Sequence, residues 1–315
     1  MTGILRGIAV PNFGEDPAGL IELGVAVEQA GFDGFFLWDH IVFSDSGDGP
    51  PIADPWLVLG VVATRTSRIK LGTMITPVPR RRPWQLARQT TTLDRLSGGR
   101  VILGVGIGSP AYGDFGIFHE PQGARERADM LDEGLDVLAG LWSGERFSYS
   151  GQHYTVDPVR FTPPPVQRPR IPVWVGGILP ATRTVDRAAR WDGMVPIRYT
   201  GGQLATVSPE DIAELGVRIG AIRDSGPAAG SRPDNSKKPQ APDDNSKESQ
   251  PPSDNSKKRP AGGDLVVWAE AADAPAAVPE IIRPYEEAGA TWWIESARPG
   301  DGWWDGVRRR VAAGR

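Results

Sequence analysis

Gly31-Phe32-Asp33-Gly34-Phe35-Phe36-Leu37-Trp38-Asp39-His40 is the stretch on which the reading of this chain turns. A short apolar run between glycine-rich turns fits a strand buried on both faces, and the spacing predicts that strand over 35–40. It ends in an acid and an imidazole. Both are costly to bury in an apolar core, so a cleft suits them better. Imidazole titrates near neutral pH, which makes His40 an acid/base candidate with Asp39 beside it. The competing reading of the pair is a solvated or purely structural hydrogen bond.

Outward from this stretch the chain alternates between two periodicities. Before it come a strand at Leu5–Val10, stopped by Pro11, and a helix from Pro17 to Ala30 with Gly31 as its cap. After it come a helix opened by Asp54-Pro55, a strand at 69–75, a helix from Pro83 and a strand at 101–107. A helix is expected at 125–142 and a small hairpin around Gly151-Gln152. Further strands are expected at 171–175, 193–197, 265–269 and 291–295, with helices at 181–189, 209–223, 276–288 and 303–313. Eight strands alternating with helices imply parallel pairing and right-handed crossovers. Eight such units close an α/β TIM (β/α)8 barrel, whose site lies at the C-terminal strand ends. An open dinucleotide-binding sheet fits poorly. Gly104-Val105-Gly106-Ile107-Gly108 runs into Ser109-Pro110 rather than a helix, and no acid follows at the required distance.

One segment stands outside the pattern. Residues 225–263 are rich in Pro, Ser and Lys, and three copies of Asp-Asn-Ser-Lys begin at Asp234, Asp244 and Asp254. Such a stretch buries too little apolar surface to offset its ordering entropy. It is expected to be a disordered low-complexity insertion within a single 1–315 barrel domain, on the face away from the site.

Composition bounds the rest. The 315 residues carry a formal charge of −4, with 39% hydrophobic residues, so no broad basic field for nucleic acid is expected. There is no cysteine, which removes disulfides, thiolate metal sites and cysteine nucleophiles. No leader-like segment and no apolar run of membrane length is read, so a cytoplasmic protein is expected.

The polar and glycine residues at the expected strand ends gather on one rim: Asp39-His40, Thr73 to Pro77, Gly106, Gly108 and Ser109, Gly176-Gly177, Arg198 and Glu295. Two glycine-rich turns leading into helices suit a phosphorylated cofactor, although barrel loops use glycine for tight turns as well. Arg80-Arg81-Arg82 stands at a helix start, where the dipole prefers acids, so the three either bind an anion or form a solvated charge run. His119 and His153 lack a second ligand at metal spacing and read as loop residues, so no metal is expected.

These residues make the chain resemble the luciferase-like monooxygenase superfamily of flavin- or F420-dependent barrels. The resemblance rests on the 31–40 stretch, Leu-Gly-Thr-Met-Ile-Thr-Pro at 71–77, Arg-Arg-Pro at 81–83 and Thr-Leu-Asp-Arg-Leu-Ser-Gly-Gly-Arg at 92–100. It continues through Leu-Gly-Val-Gly at 103–106, Ile-Pro-Val-Trp-Val-Gly-Gly at 171–177 and Ala-Gly-Ala-Thr-Trp-Trp-Ile-Glu at 288–295.

The resemblance implies a (deaza)flavin across the barrel mouth, with the Asp39-His40 pair in place and His40 near its reactive ring; the roles expected of the pair are His40 as acid/base and Asp39 orienting it. It puts Thr73-Met74 at a non-proline cis peptide under the ring and Gly106 and Gly108 on the ring's other side. It makes Gly176, Gly177 and Ile178 donors to the cofactor phosphate. Ser109 stands where some F420-dependent dehydrogenases carry a glutamate, which argues against that sugar-phosphate reaction. The expected function is hydride transfer between F420, or alternatively FMN, and a small organic substrate, by a homodimer. An oxygen-using reduced-FMN monooxygenase and a non-catalytic flavin-binding barrel are the alternatives.

Overall fold

The computed structural model describes residues 3–14, 16–180, 182–200, 203–225, 263–270, 278–297, 300 and 302–315. Among them, eight parallel strands close on themselves: β1 (Leu5–Val10), β2 (Gly34–Leu37), β3 (Lys70–Pro77), β4 (Val101–Gly106), β7 (Val173–Ile178), β8 (Gly193–Thr200), β10 (Asp264–Glu270) and β11 (Trp292–Ser296). They pair in chain order, β11 returns to β1, and the β8–β10 pair completes the ring. This is the expected TIM barrel. A hairpin of β5 (Arg146–Ser150) and β6 (Thr155–Arg160) leaves the barrel before β7, and β9 (Gln203–Ala205) folds back antiparallel on β8.

The helices are α1 (Pro17–Gln29), α2 (Pro55–Arg65), α3 (Pro83–Leu96), α4 (Ala124–Trp142), α5 (Thr182–Arg190), α6 (Pro209–Asp224), α7 (Val278–Glu287) and α8 (Trp303–Ala312). Their starts follow from local chemistry. Asp54 caps α2 by accepting from the Trp56 and Leu57 N–H groups, and Pro55 supplies a first turn that needs no donor. Ser208 and Asp211 form a reciprocal capping box on α6. The expected 225–263 insertion and the start of the 276–288 helix fall largely outside the described residues. The chain leaves at Ser225, the cap of α6, and returns at Gly263, one residue before β10.

Strand residues alternate between two cores. The barrel interior holds Ala9, Phe36, Met74, Ile102, Trp174, Val195, Val266, Trp292 and Ile294. Their neighbours along the strands face the helices instead. Phe36, Trp174 and Trp292 fill the interior with ring centroids 5.2 to 6.1 Å apart. Rings of that size need empty space beside them. A Cβ on Gly34 would sit 2.7 Å from Phe36, and one on Gly193 would sit 2.6 Å from Trp174. Gly34 of the opening stretch therefore makes room for aromatic packing, while Gly31, at φ 88°, turns the chain.

The β2 strand stops earlier than expected, at Leu37. Pro11 ends β1 because it has no N–H to continue the ladder. Asn12 takes over: its amide donates to the His40 and Ala53 carbonyls (2.9 and 2.8 Å), and its side-chain oxygen accepts from the His40 N–H at 3.3 Å. Trp38 still donates its N–H to the Val10 carbonyl at 2.9 Å, and Asp39 and His40 then leave the ladder and turn over the barrel mouth.

Candidate active site

A cleft of about 830 Å³ opens at the C-terminal strand ends. Of the residues expected there, Asp39, His40, Met74, Gly106, Gly108, Ser109, Gly176, Gly177 and Ile178 line it. Thr73 does not. It is fully buried, and its hydroxyl pairs with that of Thr76 at 2.7 Å. The cis peptide of β3 is Met74–Ile75, one bond beyond the Thr73–Met74 position. It lies where the register of β3 against β4 shifts, between Thr73 and Thr76.

Asp39 does not orient His40. Its carboxylate is 0% exposed and receives Arg80 Nη2 (3.1 Å), Arg81 Nε (3.0 Å) and the Thr76 hydroxyl (2.7 Å). Thr76 gives its single proton to Asp39, so Thr73 must donate to Thr76. The carboxylate that holds His40 is that of Asp114, with Oδ2 2.6 Å from Nδ1. Asp114 also accepts from Arg80 Nη1 (2.8 Å) and from the N–H groups of Ile41 (2.9 Å) and Val42 (3.1 Å). Burial pushes the Asp114 carboxyl up. The His40 hydrogen bond, the Arg80 guanidinium and the Ile41 N–H outweigh it and hold the group below its ordinary value. An ionised Asp114 only accepts, so His40 Nδ1 carries a proton and Nε2 is left for a bound molecule.

Arg80 joins the two acids. Its side chain is 1% exposed, and burial lowers its pKa against the attraction of Asp39 and Asp114. Arg80 and Arg81 therefore serve internal carboxylates rather than an external anion, and only Arg82 of the triplet has no ion pair among the described residues.

Two other expected rim residues lie elsewhere. Glu295 points outward, where it accepts from Arg6 and Arg310 (both 2.8 Å to Oε1). Its neighbour Ser296 faces the cleft instead, as the two-residue strand period requires. Arg198 pairs with Asp211 at the start of α6. His119 and His153 lie in turns, and no group of acids and histidines among the described residues could hold a metal.

Sequence reading passed over the aromatic wall around His40. Phe43 and Tyr112 stack at 4.6 Å, with centroids 4.9 and 5.6 Å from the imidazole, and Trp38 lies at 5.9 Å. Trp38 and Trp268 both line the cleft, and each has a buried indole N–H without a partner among the described residues. Asp114 and Tyr112 sit in an irregular turn with no periodicity to mark them. The one local signal is Gly113, at φ 79°.

A family model described as luciferase-like monooxygenase matches residues 5–226. An F420-dependent glucose-6-phosphate dehydrogenase of Nakamurella multipartita is 33% identical over 222 residues, 69% of this chain and 60% of that protein. An F420-dependent hydroxymycolic acid dehydrogenase of Mycobacterium tuberculosis is 31% identical over 220 residues, 68% of this chain and 55% of that protein. The chain thus spans little more than half the length of such relatives. Among solved structures, an F420-dependent secondary alcohol dehydrogenase holding an F420–acetone adduct superposes with a TM-score of 0.69 at 16% identity, covering all of both chains. A type II Baeyer–Villiger monooxygenase from Pseudomonas putida, in complex with FMN, superposes at 0.63 with 15% identity, over 98% of this chain and 97% of that one.

Proposed function

The chain belongs to the luciferase-like monooxygenase family, and from that premise we propose that it is an F420-dependent oxidoreductase acting on a small, neutral alcohol or carbonyl compound. The observation that carries the reading is His40, held through Nδ1 by a buried carboxylate with Nε2 free in the cleft. F420-dependent relatives support the choice of cofactor.

The cleft residues fit a flat heteroaromatic group. Gly106 and Gly176 flank Ile75, and a Cβ on Gly176 would lie 2.0 Å from Ile75 Cδ1, so a side chain there would displace the slot's floor. The unpartnered indole N–H groups of Trp38 and Trp268 suit carbonyl oxygens on a ring or a substrate. Gly176, Gly177 and Ile178 would hold the phosphate side, and Met74 would lie under the ring. A bound deazaflavin supplies a two-electron hydride acceptor or donor.

His40 Nε2 takes the proton released as an alcohol becomes a carbonyl compound and returns it in the reverse direction. Asp114 keeps the imidazole in the tautomer that leaves Nε2 basic, and stabilises the imidazolium. Phe43, Tyr112 and Trp38 exclude water around it. Ser109 carries no carboxylate and accepts from the Ala111 N–H at 3.3 Å, so it supplies no second acid at that place. This counts against a sugar-phosphate reaction that needs a glutamate as proton donor at that place. Leu57 and Val61, one turn apart on α2, are 75% and 43% exposed, which supports a homodimer through that face. A cysteine-free chain suits a reducing compartment, and a cytoplasmic location belongs to the same reading.

Titration of the purified chain with F420 and FMN, each oxidised and reduced, tests the proposal. F420 is expected to bind in preference to FMN. His40→Ala should still bind F420 while kcat with a responsive alcohol falls by about 10²-fold or more. Preference for reduced FMN with oxygen consumption, or near-normal turnover without His40, would overturn it.

A further inference from the structure

A second cavity, of about 400 Å³, lies on the far side of the Arg80–Arg81 pair from the cleft. It is walled by the 78–82 turn, the first turns of α3, α4 and the turn of the β5–β6 hairpin. The two cavities share no lining residue, and Arg80, Arg81 and Ile41, which hold Asp39 and Asp114 from behind, form the partition between them.

Four of its polar groups are not accounted for by the fold. Tyr154 is 4% exposed, yet its hydroxyl has no partner among the described residues. The Gln89 side-chain oxygen is likewise buried and has no partner among the described residues. Arg82 forms no ion pair among the described residues and stands at the N-cap of α3 without capping it; no acid follows in the first turn. A cation at the positive end of a helix is unfavourable unless an anion joins it. Glu120, at the rim, forms no ion pair among the described residues either. The rest of the wall mixes the Asp39-paired Arg80 and Arg81 and the Gln85 side chain with an apolar part of Ile41, Pro79, Leu86, Pro121 and Met130.

Tyr154 is held there firmly. Glu133 of α4 accepts from the N–H groups of Gln152 (2.7 Å), His153 (2.9 Å) and Tyr154 (3.1 Å), which pins the hairpin turn onto the helix. Burial pushes the Tyr154 hydroxyl up to about 12, so it stays a donor at neutral pH. Native folds rarely fix a polar side chain this deeply and leave it unpaired.

We infer that this cavity is a second ligand site, distinct from the cofactor cleft, that takes a small organic carboxylate bearing a hydroxyl or ammonium donor. Arg82 and the Tyr154 hydroxyl receive the carboxylate. Gln89 Oε1 and Glu120 accept from the hydroxyl or ammonium group, and the apolar wall covers the carbon skeleton. Hydroxy acids and amino acids share this donor–acceptor pattern.

Calorimetric titration of the full chain, with and without saturating F420, uses glycerate, serine and acetate as probes. Glycerate or serine is expected to bind with Kd near or below about 1 mM, more tightly than acetate and regardless of F420. Tighter glycerate identifies the hydroxy-acid form, and tighter serine the amino-acid form. Tyr154→Phe and Arg82→Gln should each weaken that binding about tenfold or more without lowering the thermal midpoint or F420 affinity. Arg82→Gln lies on an exposed turn and keeps the test open if the core variant misfolds. The inference is overturned if neither probe binds, if acetate binds as well as both, if F420 displaces the probe, or if both variants bind as the parent does.

Discussion

His40 has two carboxylates within reach along the chain and in space, and the burial of each assigns its work. Asp39 is sealed from solvent by two guanidiniums and a hydroxyl, so it cannot also turn toward the imidazole. Asp114 spends one oxygen on Arg80 and backbone N–H groups and keeps the other for His40 Nδ1. Asp114→Asn would therefore let Nδ1 accept rather than donate, favouring the wrong tautomer. We expect kcat to fall by about 10²-fold with F420 affinity little changed, checked by steady-state kinetics beside a binding titration. The same substitution has a pH signature. The folded-state pKa of Asp114 lies below its unfolded value, so its contribution to stability is complete above the ordinary carboxylate pKa. That contribution is lost as pH falls through the lower, folded value. The gap in urea midpoint between parent and Asp114→Asn should be widest near neutrality and close at acid pH.

Each strand of the barrel carries two chemistries, one per face, and β11 shows the consequence. Trp292, Ile294 and Ser296 face inward; Trp293 and Glu295 face the helices. Glu295 is 1% exposed and ties β1 to α8 through Arg6 and Arg310, both of which also lie over the Phe32 ring. Removing its charge leaves two buried cations that share one neutral side-chain acceptor, with only the Gly314 carbonyl beside it for Arg310. Glu295→Gln should cost on the order of 3–5 kcal/mol, read as a lowered urea midpoint, while F420 affinity of the folded protein stays at the parent value. The strand itself was readable from the run Thr-Trp-Trp-Ile-Glu, but the face was not. A strand end looks like a rim position until its register against β1 and β10 is known. The same holds for β2, whose last expected residues are taken from the ladder by Asn12, 28 positions away from His40.

At the scale of the whole molecule, Ser225 and Gly263, which flank the 226–262 segment, lie at the end of α6 and the start of β10, at the opposite end of the barrel from the cleft. The segment joins the end of α6 to the start of β10, and starts of strands lie away from the mouth. Replacing 226–262 with a short Gly/Ser linker should leave kcat, KM and F420 affinity unchanged; loss of turnover in a folded deletion variant would assign that segment a role in the reaction. The sequence by itself determined the eight-unit barrel, the helix starts at Asp54-Pro55 and Pro83, and the position of His40 at a strand end. Periodicity, capping and proline geometry act over a few residues, so they are written locally. Only the tertiary structure decided which acid meets the imidazole, which arginines remain available to a ligand and which face Glu295 takes. Those depend on Coulomb pairs between residues 34 to 289 positions apart, such as Arg80 with Asp114 and Arg6 with Glu295. A buried charge takes the partner that the closed barrel brings to it, and sequence proximity, as between Asp39 and His40, does not choose that partner.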